Sequence, residues 1–288
     1  MRTVKRIGIL FCAIFLFITV SCNNSYSNPD YSKTPVLFVH GSGLSAKTWG
    51  NMIEFFSKNG YPQKYLLAID MMPRNGSNIK AATTYITPAV EKLIRQSNEE
   101  AKRNGSNIKH KKIAIISHSM GAVSSRWYIF KEKPEKIIKW ISLAGANHGT
   151  NAICPYRAPG NDELCPAFAK TKKESHVQIV LNGTPDEPVD ETPFGLGKDK
   201  NKIKSIPPDK NRQIVYYSIR IEPDRWIKPE SSAIIDGAGG ENKDMISKFP
   251  VRETSAGNFL FKKRVGHDPL PKDEDLIKLV HYLLQKTE

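Results

Sequence analysis

The chain has 288 residues, of which 39% are hydrophobic and 25% charged, and this is enough for one sizeable core or two small ones. Its formal net charge is +14, but the lysines are scattered and do not cluster with aromatic residues. This pattern favours a solvated basic surface and argues against nucleic-acid binding, while attraction to anionic lipid surfaces stays open.

The first 21 residues are interpreted as a signal peptide. "MRTVKR" is basic, and the apolar stretch "IGILFCAIFLFITV" that follows is too short to span a bilayer comfortably. A retained membrane anchor is the alternative. Without residues 1–21, which carry three basic residues and no acid, the formal charge becomes 14 − 3 = +11.

A cysteine directly after the signal suggests lipidation. "ITVSC" resembles the box of bacterial lipoproteins, in which the cysteine becomes the lipidated N-terminus, although Thr19 stands where leucine is usual. The sequence thus predicts an exported protein, anchored to the membrane through Cys22 or otherwise secreted. Residues 22–34 are expected to be a flexible tether, and residues 35–288 a single domain.

Strands and helices alternate along this domain. Strands are predicted in "TPVLFVHGSG" and "YPQKYLLAID", and a helix from a Thr87 N-cap, with Pro88 in its first turn, to about Arg103. The apolar run "IAIIS" fits a strand buried on both faces, and the helix "AVSSRWYIF" follows it. Further strands in "KIIKWISLAG" and "RQIVYYSIRI" precede the amphipathic C-terminal helix. The order predicts an α/β fold with a mostly parallel sheet flanked by helices.

The alternation lapses over residues 151–210, which we interpret as a lid-like insertion over the site and not as a second domain. A short helix is expected around Ala167 to Leu181. Cys154 and Cys165 form an even pair in an exported chain, which predicts a disulfide. No histidine lies between them, so no metal site is expected.

The turn "SHSMG" contains the best candidate for a nucleophile. With Ser119 at the apex, the flanking positions are Ser117 and Gly121, both small, as the G-x-S-x-G nucleophile elbow requires. With Ser117 at the apex, the β-branched Ile115 would have to fit instead. Ser119 is therefore preferred, although a serine replaces the first glycine of the motif.

A serine nucleophile also needs a base, an acid and two N–H donors for the oxyanion. The amides of Met120 and of Ser42, in the turn "HGSG", are the candidate donors. Two histidines at loop positions compete for the role of base. His267 precedes the final helix, whereas its rival His148 precedes every acid candidate in the chain.

Three acids compete near the end of the strand "QIVYYSIRI". Asp224 lies just past the strand end, where it could reach an imidazole. Glu222 is followed by Pro223 and is expected to be held by the strand. Asp236 lies in a glycine-rich turn, where aspartate is common for local reasons.

Several of these motifs together resemble a known family. "PVLFVHGSG", "ISHSMGA", "SLAGANHGT", "YYSIRIEPDRWIKPESSAIIDGAG" and "VGHDPL" are similar in kind and order to bacterial secreted lipases of the α/β-hydrolase superfamily. The class-two triacylglycerol lipases are the closest type. The resemblance implies an ester or lipid substrate, cleaved without a cofactor through an acyl-enzyme. It assigns the nucleophile, acid and base to Ser119, Asp224 and His267, and the oxyanion donors to Ser42 and Met120.

Two other functions stay open. An acyltransferase or a polyester depolymerase would use the same machinery. A catalytically inactive surface lipoprotein could keep the fold for binding. Such a protein would be expected to lose its triad residues first, and the complete candidate triad here argues against it. The sequence says nothing about oligomeric state, and no function is assigned to the heptapeptide "RNGSNIK", which occurs at 74–80 and again at 103–109.

Overall fold

The computed structural model describes residues 27–195, 214–239 and 243–286. The signal 1–21, Cys22, the first part of the tether and residues 196–210 of the insertion lie outside these ranges. No helix within the described ranges is long and apolar enough to cross a bilayer.

Seven strands of the described residues form one sheet, in the spatial order β2-β1-β3-β4-β5-β7-β6. Every neighbouring pair is parallel except β6 and β7. The mostly parallel sheet expected from the sequence is therefore confirmed. Its strands are β1 Val36–Val39, β2 Leu66–Ile69, β3 Ile113–His118, β4 Ile137–Leu143, β5 Val215–Ile221, β6 Val251–Ser255 and β7 Asn258–Phe261.

Helices cover both faces of this sheet. They are α1 Gly50–Lys58, α2 Asn78–Lys80, α3 Thr87–Arg103, α4 Met120–Lys131, α5 Pro159–Asp162, α6 His176–Asn182, α7 Lys243–Lys248 and α8 Glu274–Gln285. Short 3-10 turns lie at Ala46–Trp49, Gln63–Tyr65, Pro134–Lys136, Glu230–Ala233 and Leu270–Lys272.

Of the two predicted helices, α3 has the expected bounds, Thr87–Arg103, but not the expected N-cap, and α6 starts later than expected. A π-helical turn, Ala81–Ile86, joins α2 to α3, so Thr87 is not a cap. The helical segment starts instead after Ser77, whose hydroxyl accepts a hydrogen bond from the amide of Lys80. Likewise, α6 begins at His176 and not near Ala167, because the Ser175 hydroxyl caps it there.

Side chains of β3 alternate between two cores. Ile113 and Ile115 belong to the cluster beneath α3 and α4, while Ala114 and Ile116 belong to the cluster beneath α1 and α8. Because both faces are covered, apolar residues occupy every position of the strand until it reaches the edge where the chain turns. The functional candidates follow at that edge.

The outer strands differ from the central ones. β2 has four residues and is only partly buried, and β6 is antiparallel to its neighbour. In β6, Arg252 and Thr254 are exposed while Val251 is buried. The sequence-based interpretation did not include β6 or β7.

Candidate active site

Ser119 is the only residue between β3 and α4, and its backbone is strained. Its φ of 55° and ψ of −126° lie in a region that residues with a side chain rarely adopt. Gly121 lets this turn pack against β1, because a Cβ there would lie 2.4 Å from the His40 carbonyl oxygen. Ser117 stands at the position of the first elbow glycine. Its buried hydroxyl donates a hydrogen bond to the Ile141 carbonyl at 3.2 Å.

The turn after β1 lies directly against the Ser119 turn. A Cβ at Gly41 would come within 2.7 Å of the Ser119 Cβ. His40 fixes this turn, since its Nε2 accepts from the Met71 amide at 3.0 Å and its Nδ1–H donates to the Gly41 carbonyl at 2.8 Å. Burial lowers the pKa of His40, which favours the neutral ring that these two contacts need.

The two amides that are candidate oxyanion donors remain available to a substrate. The amide nitrogens of Ser42 and Met120 donate no backbone hydrogen bond to any residue within the described ranges. Met120 begins α4, where the first N–H groups have no partner inside the helix.

His267 and Asp224 form a buried pair. The His267 Nδ1 lies 2.8 Å from the Asp224 Oδ2, and the two residues are 4% and 3% exposed. A carboxylate can only accept, so Nδ1 carries the hydrogen and Nε2 presents a lone pair. That Nε2 is buried and has no hydrogen-bond partner among the described residues.

Backbone amides orient the carboxylate of Asp224. Its Oδ1 accepts from the amides of Trp226 at 2.7 Å and Ile227 at 3.1 Å, in an Asx turn. With one oxygen held by its own loop and the other by His267, the carboxylate has one orientation.

The other two acid candidates have different partners. Glu222 pairs with Arg220 at 2.8 Å, and the Asp236 amide donates to the Glu191 carboxylate at 2.8 Å. Asp224, in contrast, contacts a histidine through its side chain.

His118 holds the His267 loop, a role that the sequence did not suggest. Its Nε2–H donates to the His267 carbonyl at 3.0 Å, and the two ring centroids lie 4.6 Å apart. Burial, followed by the neighbouring His267, lowers the pKa of His118 well below its ordinary value, so the ring is neutral. The partner is 149 residues away, and no local pattern could have indicated it.

The rival base, His148, belongs to a second histidine–carboxylate pair. Its Nε2 lies 2.9 Å from the Glu191 Oε1, its Nδ1 lies 3.3 Å from the Ser232 carbonyl oxygen, and its ring stacks on Phe168. Desolvation raises the pKa of Glu191, but His148, Arg126 and the Asp236 amide together outweigh it and leave the pKa lowered.

Ser119 and His267 line one cavity of about 210 Å³, and His148 is not among its lining residues. Most of its other walls are apolar: Leu44, Met120, Ala146, Ile153, Leu164, Trp226 and Ile227. Ile153 and Leu164 lie in or beside the loop that the Cys154–Cys165 disulfide closes. The first part of the predicted insertion thus forms one wall of the cavity.

Glu163 attaches this loop to the start of α2. Its carboxylate accepts from the Ser77 hydroxyl at 2.6 Å and from the Asn78 amide at 2.5 Å. The Asn78 side chain donates to the same carboxylate at 2.8 Å, and the Ser124 hydroxyl donates to Asn78. This network links the disulfide loop to the helix that follows Ser119. Sequence reasoning missed it, because its members lie far apart in the chain.

Within the described ranges, no three His, Cys, Asp or Glu side chains are close enough to share a metal ion.

Comparisons with known proteins place this geometry in context. Residues 33–171 match the family described as "Lipase (class 2)". The lipase BlEst2 of Bacillus licheniformis in its mature form is similar with a TM-score of 0.51 and 16% identity, over 89% of this chain and 94% of that chain. Its propeptide form gives a TM-score of 0.52 and 17% identity, over 91% and 52% of the two chains. At these identities, the two structures establish a common fold.

Proposed function

The chain belongs to the class 2 lipases of the α/β-hydrolase superfamily and is a carboxylic ester hydrolase; from this premise, we propose that it cleaves esters through an acyl-enzyme on Ser119. In this proposal His267 is the general base, Asp224 orients it, and the amides of Ser42 and Met120 bind the oxyanion.

One observation carries the proposal. His267 donates one ring nitrogen to a buried carboxylate and leaves the other without a partner among the described residues, in the cavity that Ser119 also lines. Because a hydroxyl is a weak nucleophile at neutral pH, it needs such an acceptor for its proton. The strained Ser119 backbone gives further support, since strain of this kind clusters at active sites.

The first half of the reaction acylates Ser119. His267 Nε2 takes the hydroxyl proton as Ser119 Oγ attacks the ester carbonyl carbon, which gives a tetrahedral oxyanion. The bond from carbon to the alcohol oxygen then breaks, and Nε2 returns its proton to the departing alkoxide. The alcohol leaves, and the acyl group remains on Oγ.

The second half releases the acid by the same route. His267 Nε2 takes a proton from water as the water oxygen attacks the acyl carbon. The bond to Oγ breaks, and Nε2 returns the proton to Ser119. In both halves, Asp224 keeps the Nδ1 hydrogen in place and stabilises the imidazolium without being protonated.

The cavity favours an ester with an apolar part. Its walls are mainly aliphatic and aromatic, and burial of apolar surface in such a site contributes about 25 cal/mol per Å². The disulfide loop forms one side of this space, which supports the interpretation that the insertion covers the site.

A fluorophosphonate probe tests the assignment, because it reacts with an activated serine. We expect labelling of Ser119, loss of labelling and of p-nitrophenyl ester hydrolysis in Ser119→Ala, and a folded protein by circular dichroism. The matched control is Ser117→Ala, since this serine lies two residues away with its hydroxyl bonded to Ile141. Activity lost in Ser117→Ala and kept in Ser119→Ala would refute the elbow assignment.

Export is the remaining part of the proposal, and it comes from the sequence alone. Cleavage of the signal at residue 21 would leave Cys22 as the lipidated N-terminus, which would bring the enzyme to a membrane surface. The intact mass of the protein from its native membrane fraction should show acyl chains on Cys22. Cys22→Ala should release the protein or block its processing, whereas a mature chain that begins elsewhere would indicate an ordinary secreted enzyme.

A further inference from the structure

A second cavity adjoins the candidate active site. Its volume is about 190 Å³, and its apolar walls include Met71, Met72, Pro73, Ala81, Tyr85 and Pro159. Tyr85 fixes one side, because its hydroxyl donates to the Met72 carbonyl at 2.7 Å.

Met120 lines both cavities. This residue follows Ser119 directly, and its amide is one of the proposed oxyanion donors. The second cavity is also tied to the other donor turn, since the Gly43 amide donates to the Arg74 carbonyl at 3.2 Å. A substrate bound at Ser119 therefore has two adjacent spaces in which its two halves can lie.

Two cations make the second cavity chemically different from the first. Arg74 and Lys80 line it, and no acidic residue of the described ranges does. Within the described parts of the chain, neither of these side chains has a hydrogen-bond or ion-pair partner, although other exposed lysines do, such as Lys58 with Glu54. Both cations are exposed, so each can meet an anion from solvent.

We propose that this second cavity is a subsite for an ester substrate that carries an anionic group, with Arg74 and Lys80 binding the carboxylate or phosphate and the apolar walls holding the carbon chain next to it. The proposal rests on the proposed function, because it assigns the second half of a substrate cleaved at Ser119. Arginine and lysine both bind carboxylates and phosphates, the former through its bidentate fork.

The chain contains its own matched control. Arg74 and Lys80 are the first and last residues of the heptapeptide at 74–80, and Arg103 and Lys109 hold the same positions in its copy at 103–109. The second copy precedes β3, whereas Ser119 follows it. A six-residue strand is about 20 Å long, so the copy lies towards the opposite edge of the sheet.

The experiment compares substrates in two arms that separate the sources of the anion. The first uses the p-nitrophenyl ester of an ω-carboxy fatty acid against its methyl-capped neutral counterpart. The second uses a monoacylglycerol phosphate against the monoacylglycerol with the same acyl chain. The quantity measured is the ratio of kcat/KM for the anionic member to that for the neutral member.

We expect the wild-type enzyme to prefer the anionic member in at least one arm. The double variant Arg74→Gln/Lys80→Gln should lower the ratio by about threefold to tenfold, as for two exposed ion pairs, and Arg103→Gln/Lys109→Gln should leave it unchanged. A second measurement repeats this ratio for the wild type at different salt concentrations. The preference for the anionic member should fall as salt rises from about 10 mM to about 1 M.

Three results would overturn the proposal: no anionic preference in either arm, equal loss in both double variants, or a preference that salt does not reduce. Failure of the underlying function looks different, since the wild type would then cleave neither member and Ser119 would not be labelled by the fluorophosphonate probe.

Discussion

The described part of the chain contains two histidine–carboxylate pairs of nearly the same length, and their surroundings differ. The separation is 2.8 Å between His267 and Asp224 and 2.9 Å between His148 and Glu191. The second nitrogen of His267 has no partner among the described residues, whereas that of His148 lies against a carbonyl oxygen.

The acids differ as well. Asp224 is held by the amides of its own loop, while Glu191 lies beside Arg126, whose guanidinium donates to the Glu191 carbonyl at 3.1 Å. A carboxylate partner alone thus does not make a histidine a base. What distinguishes the two pairs is a nitrogen left open to a reacting proton, and the following predictions separate a catalytic pair from a structural one.

The largest effect is expected for Asp224→Asn. The amide can no longer fix the Nδ1 hydrogen of His267, so turnover should fall by about 10⁴-fold, the value for the corresponding change in a serine protease triad. Steady-state hydrolysis of a p-nitrophenyl ester measures this, with the melting temperature as a check on folding. Near-normal turnover would remove Asp224 from the proposed triad.

Glu191→Gln should mainly affect stability. Loss of this buried carboxylate removes the acidic partner of His148 and one of the carboxylates that stabilise the charge of Arg126, and the free energy of unfolding should fall by about 3 kcal/mol. Turnover of the variant that remains folded should stay within about tenfold of the wild type. Urea unfolding at pH 7 gives the first quantity; a 10⁴-fold loss of turnover without unfolding would make His148 the base.

The same variant has a pH signature. Because the pKa of Glu191 is lowered in the folded protein, its contribution to stability is fully present above the unfolded pKa of about 4.3 and is lost as pH falls through the folded pKa. The stability difference between wild type and Glu191→Gln should therefore narrow below about pH 4.3. A stability difference between the two proteins that stays constant down to about pH 3 would contradict the proposal that Glu191 is ionised in the folded protein.

His118 should affect catalysis mainly by holding the His267 loop. In His118→Leu, the loop loses the hydrogen bond to the His267 carbonyl, and we expect kcat to fall by about tenfold with little change in KM. His118→Gln keeps a donor at a similar distance and should recover most of the rate. Equal losses in both variants would indicate that ring packing and not the hydrogen bond matters.

The smallest effect is expected for Asp236→Asn. The contact of this residue with Glu191 uses its backbone amide, which the substitution leaves in place. Turnover should stay within about twofold of the wild type, because Asp236 lies outside the proposed triad. Collapse of turnover in this variant, with Asp224→Asn active, would transfer the acid role to Asp236.

The sequence predicted the parts that depend on local pattern. Apolar runs placed β1 to β5, and the small residues around Ser119 indicated a strand-to-helix turn. The roles of Glu163 and His118 could not be predicted from the sequence, because the hydrogen-bond partners that give each side chain its role lie at least 85 residues away. The strand β6, "VRETS", contains no apolar run, and β7, "NFLF", contains a shorter one than the strands that were predicted, so neither was identified.

The repeated heptapeptide shows why local pattern has this limit. At 74–80, its serine, Ser77, accepts from the amide of Lys80 and starts a helix. At 103–109, its arginine, Arg103, ends α3, and Gly105 takes a φ of 76°. The same seven residues thus start a helix in one place and follow the end of one in another, and tertiary packing decides between the two.

The two outer strands have a consequence for how copies of this protein behave when crowded together. An exposed strand edge offers unpaired backbone groups to the edge of another molecule, which is a route to aggregation. Here β2 has four residues, and β6 carries the exposed Arg252 and Thr254 next to a register shift in its pairing with β7. Short length at one edge, and charge with irregular pairing at the other, disfavour edge-to-edge growth of the sheet at high concentration.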